Sequence, residues 1–160
     1  MNTIKLKVKK TDWLAYSENY ITNGSWMFSA DYLDKRHSDN ALVNMVENTK
    51  GFIYNLGAYN SACELPKCSK LIPDTIGKYK LYKTNVLIDA GRQVLRVYQV
   101  YDDDKKINIY IDNNYSQMFD NFNMVIPDFK NTSAIQLLDN GNIVGLLMPV
   151  NRREFENVTV

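Results

Sequence analysis

Histidine occurs once, at His37, and cysteine twice, at Cys63 and Cys68, in a chain of 160 residues. A relay that needs a histidine base therefore has one candidate, and the DKRHSDN around it reads as a solvated approach to a helix. A structural zinc site needs four ligands. The local pair in ACELPKCS supplies two, and His37 has no partner at ligand spacing. Two free thiols are expected instead, and no cofactor. The seven glycines are scattered and build no phosphate-cradling loop. No run approaches the roughly 18 apolar residues of a membrane-spanning helix. The start MNTIKLKVKK lacks the apolar stretch of a secretory signal, so a soluble, cytoplasmic protein is expected. Excess charge of either sign is also missing: 19 Lys and Arg stand against 18 Asp and Glu, a formal net charge of +1. Proteins that live on phosphate backbones carry a basic excess or stripe, and proteins that imitate DNA carry a strong acidic one. The balance here points to a protein partner or a neutral ligand, with no direct nucleic-acid contact and no membrane.

What the chain does contain is an ordinary globular mixture, 45% hydrophobic and 23% charged, enough for one sizeable core. The expectation is a single domain over 1–160, with a core at 1–150 and a tail at 151–160. A bias toward Lys, Asn, Tyr and Ile matches the AT-rich coding of low-GC bacteria and their phages.

IKLKV (4–8) alternates apolar residues with lysine, the pattern of a half-buried strand with a basic outer face. TDWLAYSENY (11–20) is expected to form one or two helical turns capped by Thr11 or Asp12, placing Trp13, Tyr16 and Tyr20 on one side. Asn23 to Ser25 is a turn and WMFSA a short strand. DNALVNMVENT (39–49) sets Leu42, Met45 and Val46 at helical spacing behind Asp39, and Gly51 stops the helix. FIYNLG is a strand, and 58–77 reads as a loop with at most one short strand. KYKLYKTNVLID (78–89) resumes strand character. RQVLRVYQVY and KINIYID, separated by Asp102 to Lys105, pair as a hairpin. Tyr115, Met118, Phe119 and Phe122 fall at i, i+3, i+4 and i+7, a short amphipathic helix. The chain ends in a hairpin whose arms, AIQLL and IVGLLM, flank the turn DNGN. Because Leu137, Leu138, Ile143, Val144, Leu146 and Leu147 are apolar at successive positions, both faces of that pair should be covered. The expected class is α+β, a mostly antiparallel sheet of hairpins with two or three short helices on one face.

From Ile107 to Arg152, the pieces INIYIDNNYSQMF, TSAIQLLDNGNIVGLLMPV and Arg152 follow an order of strand, Tyr-containing helix, strand, turn and strand. That order resembles the closing module of bacterial DNA-polymerase sliding clamps. The resemblance implies a clamp-like fold and, if functional, a role for Met148 and Pro149 near a peptide-receiving pocket in an accessory factor of phage DNA replication. In overall character, a small motif-free domain of this composition, the chain is similar to the anti-CRISPR proteins by which phages block Cas9 nucleases. That family shares no residue signature, so no site residue carries over. Its DNA-mimic members are strongly acidic, so membership implies a non-enzymatic inhibitor that binds a protein surface of Cas9, with or without its guide RNA. Its location would be the cytoplasm of an infected or lysogenic host.

For chemistry, the sharpest pattern is a restriction-type nuclease. Asp74 would supply one carboxylate on Mg²⁺, and Asp103, Asp104 and Lys105 the second carboxylate and a lysine beside the attacking water. Those last residues sit at a polar hairpin tip rather than within a strand, and IPDFK (126–130) repeats the pattern by accident, so no catalytic residue or metal ligand is assigned. Arg152 and Arg153 read as a solvated pair. For binding, the hairpin offers better material. Tyr98 and Tyr101 lead into Asp102, Asp103 and Asp104, followed by Lys105 and Lys106, which places aromatic rings beside charge at a projecting tip.

Overall fold

A computed structural model describes residues 2–61, 65 and 67–151; Cys63, Arg152 and Arg153 fall outside these. The chain divides into two compact units, Met1–Asp74 and Thr75–Val160. Strand accounts for 44% of the chain and helix for 15%, so the mixed class expected from the sequence is tilted strongly toward antiparallel sheet.

The first unit holds five antiparallel strands: β1 (Trp13–Ser17), β2 (Tyr20–Thr22), β3 (Trp26–Ser29), β4 (Gly51–Asn55) and β5 (Ala58–Ser61). Hairpins join β1 to β2, β2 to β3 and β4 to β5, and β4 returns to pair with β1, giving the order β5-β4-β1-β2-β3. The expected helix over 11–20 is therefore two strands. Leu14, Ala15, Tyr16 and Ser17 are all buried, and a strand covered on both faces loses the polar alternation that would announce it. Tyr16 stacks on its cross-strand partner Phe52 at 5.4 Å between ring centroids. The segment 58–77 yields one strand, β5, and Cys68 within it is a buried free thiol that accepts a hydrogen bond from Ser17 Oγ at 3.3 Å.

Helix α1 (Asn40–Asn48) links β3 to β4 and buries Leu42. Asp39 occupies its N-cap position, but its carboxylate does not cap the helix and instead accepts the N–H of Val8. The N-terminal segment is thereby tied down. Ile4 N–H donates to Tyr32 O at 2.7 Å, Asp34 N–H to Ile4 O at 2.7 Å, Leu6 N–H to Ser38 Oγ at 3.0 Å and Asp39 N–H to Leu6 O at 3.1 Å. Ile4 and Leu6 face the core while Lys5 and Lys7 face solvent.

The second unit begins with β6 (Tyr79–Lys80), which pairs with β10 (Asn123–Ile126); β10 pairs with β11 (Ile135–Asp139) and β11 with β12 (Asn142–Leu147). Leu137, Leu138, Val144 and Leu147 are buried, whereas Ile143 and Leu146 are half-buried, so the cover expected on both faces is complete on β11 and partial on β12. At buried Leu81 the chain leaves this sheet and enters a second one of three strands, β7 (Tyr82–Asp89), β8 (Val94–Asp102) and β9 (Lys105–Asp112). β9 runs directly into α2 (Asn113–Met118), where Asp112 accepts the N–H of Asn114 at 2.9 Å as N-cap. Phe119 and Phe122 follow it into the core, their rings edge-on at 6.5 Å.

One buried amide holds the entry to this unit. Gln136 is 1% exposed, accepts the N–H of Gly77 at 2.6 Å and donates to Thr75 O at 3.2 Å. The same loop lies flat on β10: a Cβ at Gly77 would stand 2.5 Å from Ile126 C and 2.8 Å from Pro127 N. Gln136→Met removes both bonds at similar volume and leaves the Gly77 N–H without its acceptor, a loss of about 1–3 kcal/mol. Gly77→Ala forces backbone apart and costs a similar ~1–3 kcal/mol. Urea unfolding should show a lowered midpoint for each variant, and an unchanged midpoint for either would remove this account of the loop.

Candidate functional site

Strand alternation decides which hairpin residues meet solvent. Along β8, Leu95, Val97, Gln99 and Tyr101 point to one face and Arg96, Tyr98 and Val100 to the other. Tyr98 and Tyr101, three residues apart, thus cannot share a surface. Tyr98 is 4% exposed and lies in the core, its hydroxyl 2.6 Å from Ser116 Oγ on α2. Its burial raises the phenol pKa above the ordinary 10.0, opposed in part by the Ser116 hydrogen bond. The hydroxyl that made Tyr98 a surface candidate in the sequence is spent on an internal bond.

Tyr101 stays outside, 49% exposed, and finds a neighbour that the hairpin alone does not provide. Tyr82, at the start of β7 and 51% exposed, lies edge-on to it at 5.9 Å between centroids. Gln99, the cross-strand partner of Tyr82, accepts the Tyr101 hydroxyl at 2.6 Å and fixes that ring. Lys80 Nζ stands 5.4 Å from the centre of the Tyr82 ring, a cation–π contact. Lys106 is directly opposite Tyr101 in the ladder, and Lys105 opposite Asp102. The tip is a two-residue turn of Asp103 and Asp104, with Asp103 at φ 52°. Asp103, Asp104, Lys105 and Lys106 are exposed and Asp102 half-buried. No ion pair holds any of the five among the described residues.

The site is therefore an exposed pair of tyrosines on a braced β-sheet, with lysines at its sides and a carboxylate-bearing turn at its end. Tyr82, Lys80 and Gln99 were missed from the sequence, although KYKLYK carries the signal of the first two: aromatic and cationic residues interleaved at a strand's start. The other aromatic set is dispersed, with Tyr16 buried, Tyr20 half-buried and Trp13 40% exposed. Met148 is 48% exposed just past β12, and Val150 N–H donates to Tyr110 O at 2.8 Å. The nuclease residues fare differently. Asp74 is exposed and Asp104 sits on the hairpin turn, and no three His, Cys, Asp or Glu side chains among the described residues are grouped to hold a metal ion. His37 is exposed, its Nδ1 2.9 Å from Asp34 Oδ2; that hydrogen bond, more than any other influence, keeps the Asp34 carboxyl below its usual pKa. No helix of the described residues is long and apolar enough to cross a membrane.

Comparison of the chain with family models, with curated proteins and with solved structures returns no match.

The two hairpin tyrosines should separate cleanly. Tyr98→Ala empties a core position and costs about 3–5 kcal/mol, whereas Tyr101→Ala at the surface stays within about 0.5 kcal/mol. The raised Tyr98 pKa also fixes a pH dependence. Above the ordinary phenol value the unfolded chain releases this proton while the folded one retains it, so stability is full below pH 10.0 and falls as pH climbs past it. Tyr98→Phe should flatten the part of that fall due to this residue in alkaline unfolding curves; an identical slope in the variant would contradict the assignment.

Proposed function

We propose that this chain is a non-enzymatic, phage-type inhibitor that binds a host CRISPR–Cas9 nuclease through a protein surface and blocks DNA cleavage. The observation that carries the reading is the exposed Tyr82–Tyr101 pair, braced by Gln99 and bordered by Lys80, Lys106 and the Asp103–Asp104 turn. Protein interfaces are anchored by aromatic residues with charge at the rim, and a rigid ring loses little entropy when it docks. A net charge of +1 argues against imitation of DNA, which would require a dense acidic surface. Cas9 cleavage waits on a domain rearrangement after the target is recognised. A ligand that prefers one arrangement shifts the population by its difference in affinity, and needs no catalytic group to do so. The expected setting is the cytoplasm of the infected host.

One observation favours a second reading, a sliding-clamp-like accessory protein of phage replication. The order β9, α2, β10, β11, β12, running on into exposed Met148 and half-buried Pro149, is compatible with the module that the sequence resembles.

Titration into an assembled Cas9–guide complex with target DNA distinguishes the two. Cleavage should fall at near-equimolar protein, and the double variant Tyr82→Ala/Tyr101→Ala should need about tenfold more protein or beyond. Undiminished cleavage across several Cas9 orthologues sinks the first reading, and capture of a polymerase or clamp-loader subunit by the same protein would move the weight to the second.

A further inference from the structure

The first ten residues contain four lysines and no carboxylate. Lys5, Lys7, Lys9 and Lys10 are all exposed, and no ion pair occupies them among the described residues. A chain with one net positive charge thus concentrates four unpaired ones on a single short segment. That segment is extended. Ile4 and Leu6 give their backbone groups to 32–39, and Val8 gives its N–H to Asp39, while the side chains of Ile4 and Leu6 are buried. Two consequences follow from strand geometry. The lysines at 5, 7 and 9 fall on one face at about 6.6 Å intervals. The backbone N–H and C=O groups of Thr3, Lys5 and Lys7 turn to the opposite lateral edge, where none of them has a hydrogen-bond partner among the described residues. Lys9 closes this edge, since its N–H goes to Asp12 Oδ2 and its C=O to Asp12 N–H and the Tyr54 hydroxyl.

We infer that the edge at Thr3, Lys5 and Lys7 receives an added β-strand from a partner protein, with acidic residues alternating with apolar ones. Alternating donors and acceptors in a row are complementary to another peptide backbone, and main-chain bonds supply the affinity in this mode of recognition. A phosphate backbone offers acceptors only and would leave the open carbonyls unanswered. Carboxylates at every second position of the incoming strand stand beside the lysines, as cross-strand pairs do. The residues between them extend the apolar layer of Ile4 and Leu6. Lysines on an open edge also repel a second copy of the same edge, so one feature excludes self-association and selects an acidic strand. Net charge, summed over the whole chain, averages this local concentration away. The inference holds whether or not the partner is a Cas9 nuclease.

The probe is the acetylated, amidated peptide TEVEVET, titrated into the full chain by calorimetry and followed by amide NMR. It should bind one to one, weaken about tenfold between low and ~0.5 M salt, and slow hydrogen exchange at the Lys5 and Lys7 amides. The variant Lys5→Glu/Lys7→Glu changes only exposed side chains. It should lose TEVEVET by about tenfold or more and gain TKVKVKT. Absence of binding overturns the inference. So does equal binding of a TEVEVET methylated at its backbone nitrogens, unchanged exchange at Lys5 and Lys7, or unaltered affinity in the variant. Tighter binding of oligothymidylate at the same lysines would replace it with a nucleic-acid site.

Discussion

A hairpin closed by two residues leaves its strands no freedom to slide, because a slip of one residue turns every side chain to the opposite face. Four such turns occur among the described residues. At Glu18–Asn19, Leu56–Gly57 and Asn140–Gly141 both residues have positive φ, the geometry whose twist matches that of the strands it joins. Glu18 and Leu56 hold it without being glycine, at a cost of roughly 1–2 kcal/mol each, which the ladders on either side offset. The fourth turn, Asp103–Asp104, sets Asp102 opposite Lys105. From that single pairing it follows that Tyr101 meets Lys106 and Tyr98 meets Ile109. The composition of the exposed surface and of the core beneath it is decided at the tip.

The readable parts of the sequence were those where local and tertiary signals agree. The DNGN turn between unbroken apolar arms, the β8–β9 hairpin and the helix behind Asp39 all belong to this class. TDWLAYSENY failed for a physical reason: Trp13, Tyr16 and Tyr20 fit a helical stripe, and a Glu–Asn pair is a poor advertisement for a tight turn. Only burial of Leu14 and Tyr16 against β4 overrides the helical spacing, and that packing involves residues some forty positions away. The candidate site was half legible for the same reason. Parity within β8 was enough to separate Tyr98 from Tyr101, but Tyr82 reaches Tyr101 only because β7 pairs with β8, with the register shifting between Lys83 and Leu87.

Net charge is a poor guide to such a molecule because its ions are not mixed evenly. The hairpin turn presents Asp103 and Asp104, the N-terminal segment presents lysines alone, and the only ion pairs among the described residues are Lys35–Glu47, Lys83–Asp120 and the His37–Asp34 contact. Charges left unpaired on rigid backbone keep their full field at the surface, where screening acts over roughly 8–10 Å. Within that range each patch acts on whatever approaches it, although the total field of the chain is close to zero. The inhibitor proposed above would rely on such local attraction to steer its encounter. Its effect on a partner is limited to the difference in binding free energy between that partner's states, and a misaligned contact contributes nothing to the difference.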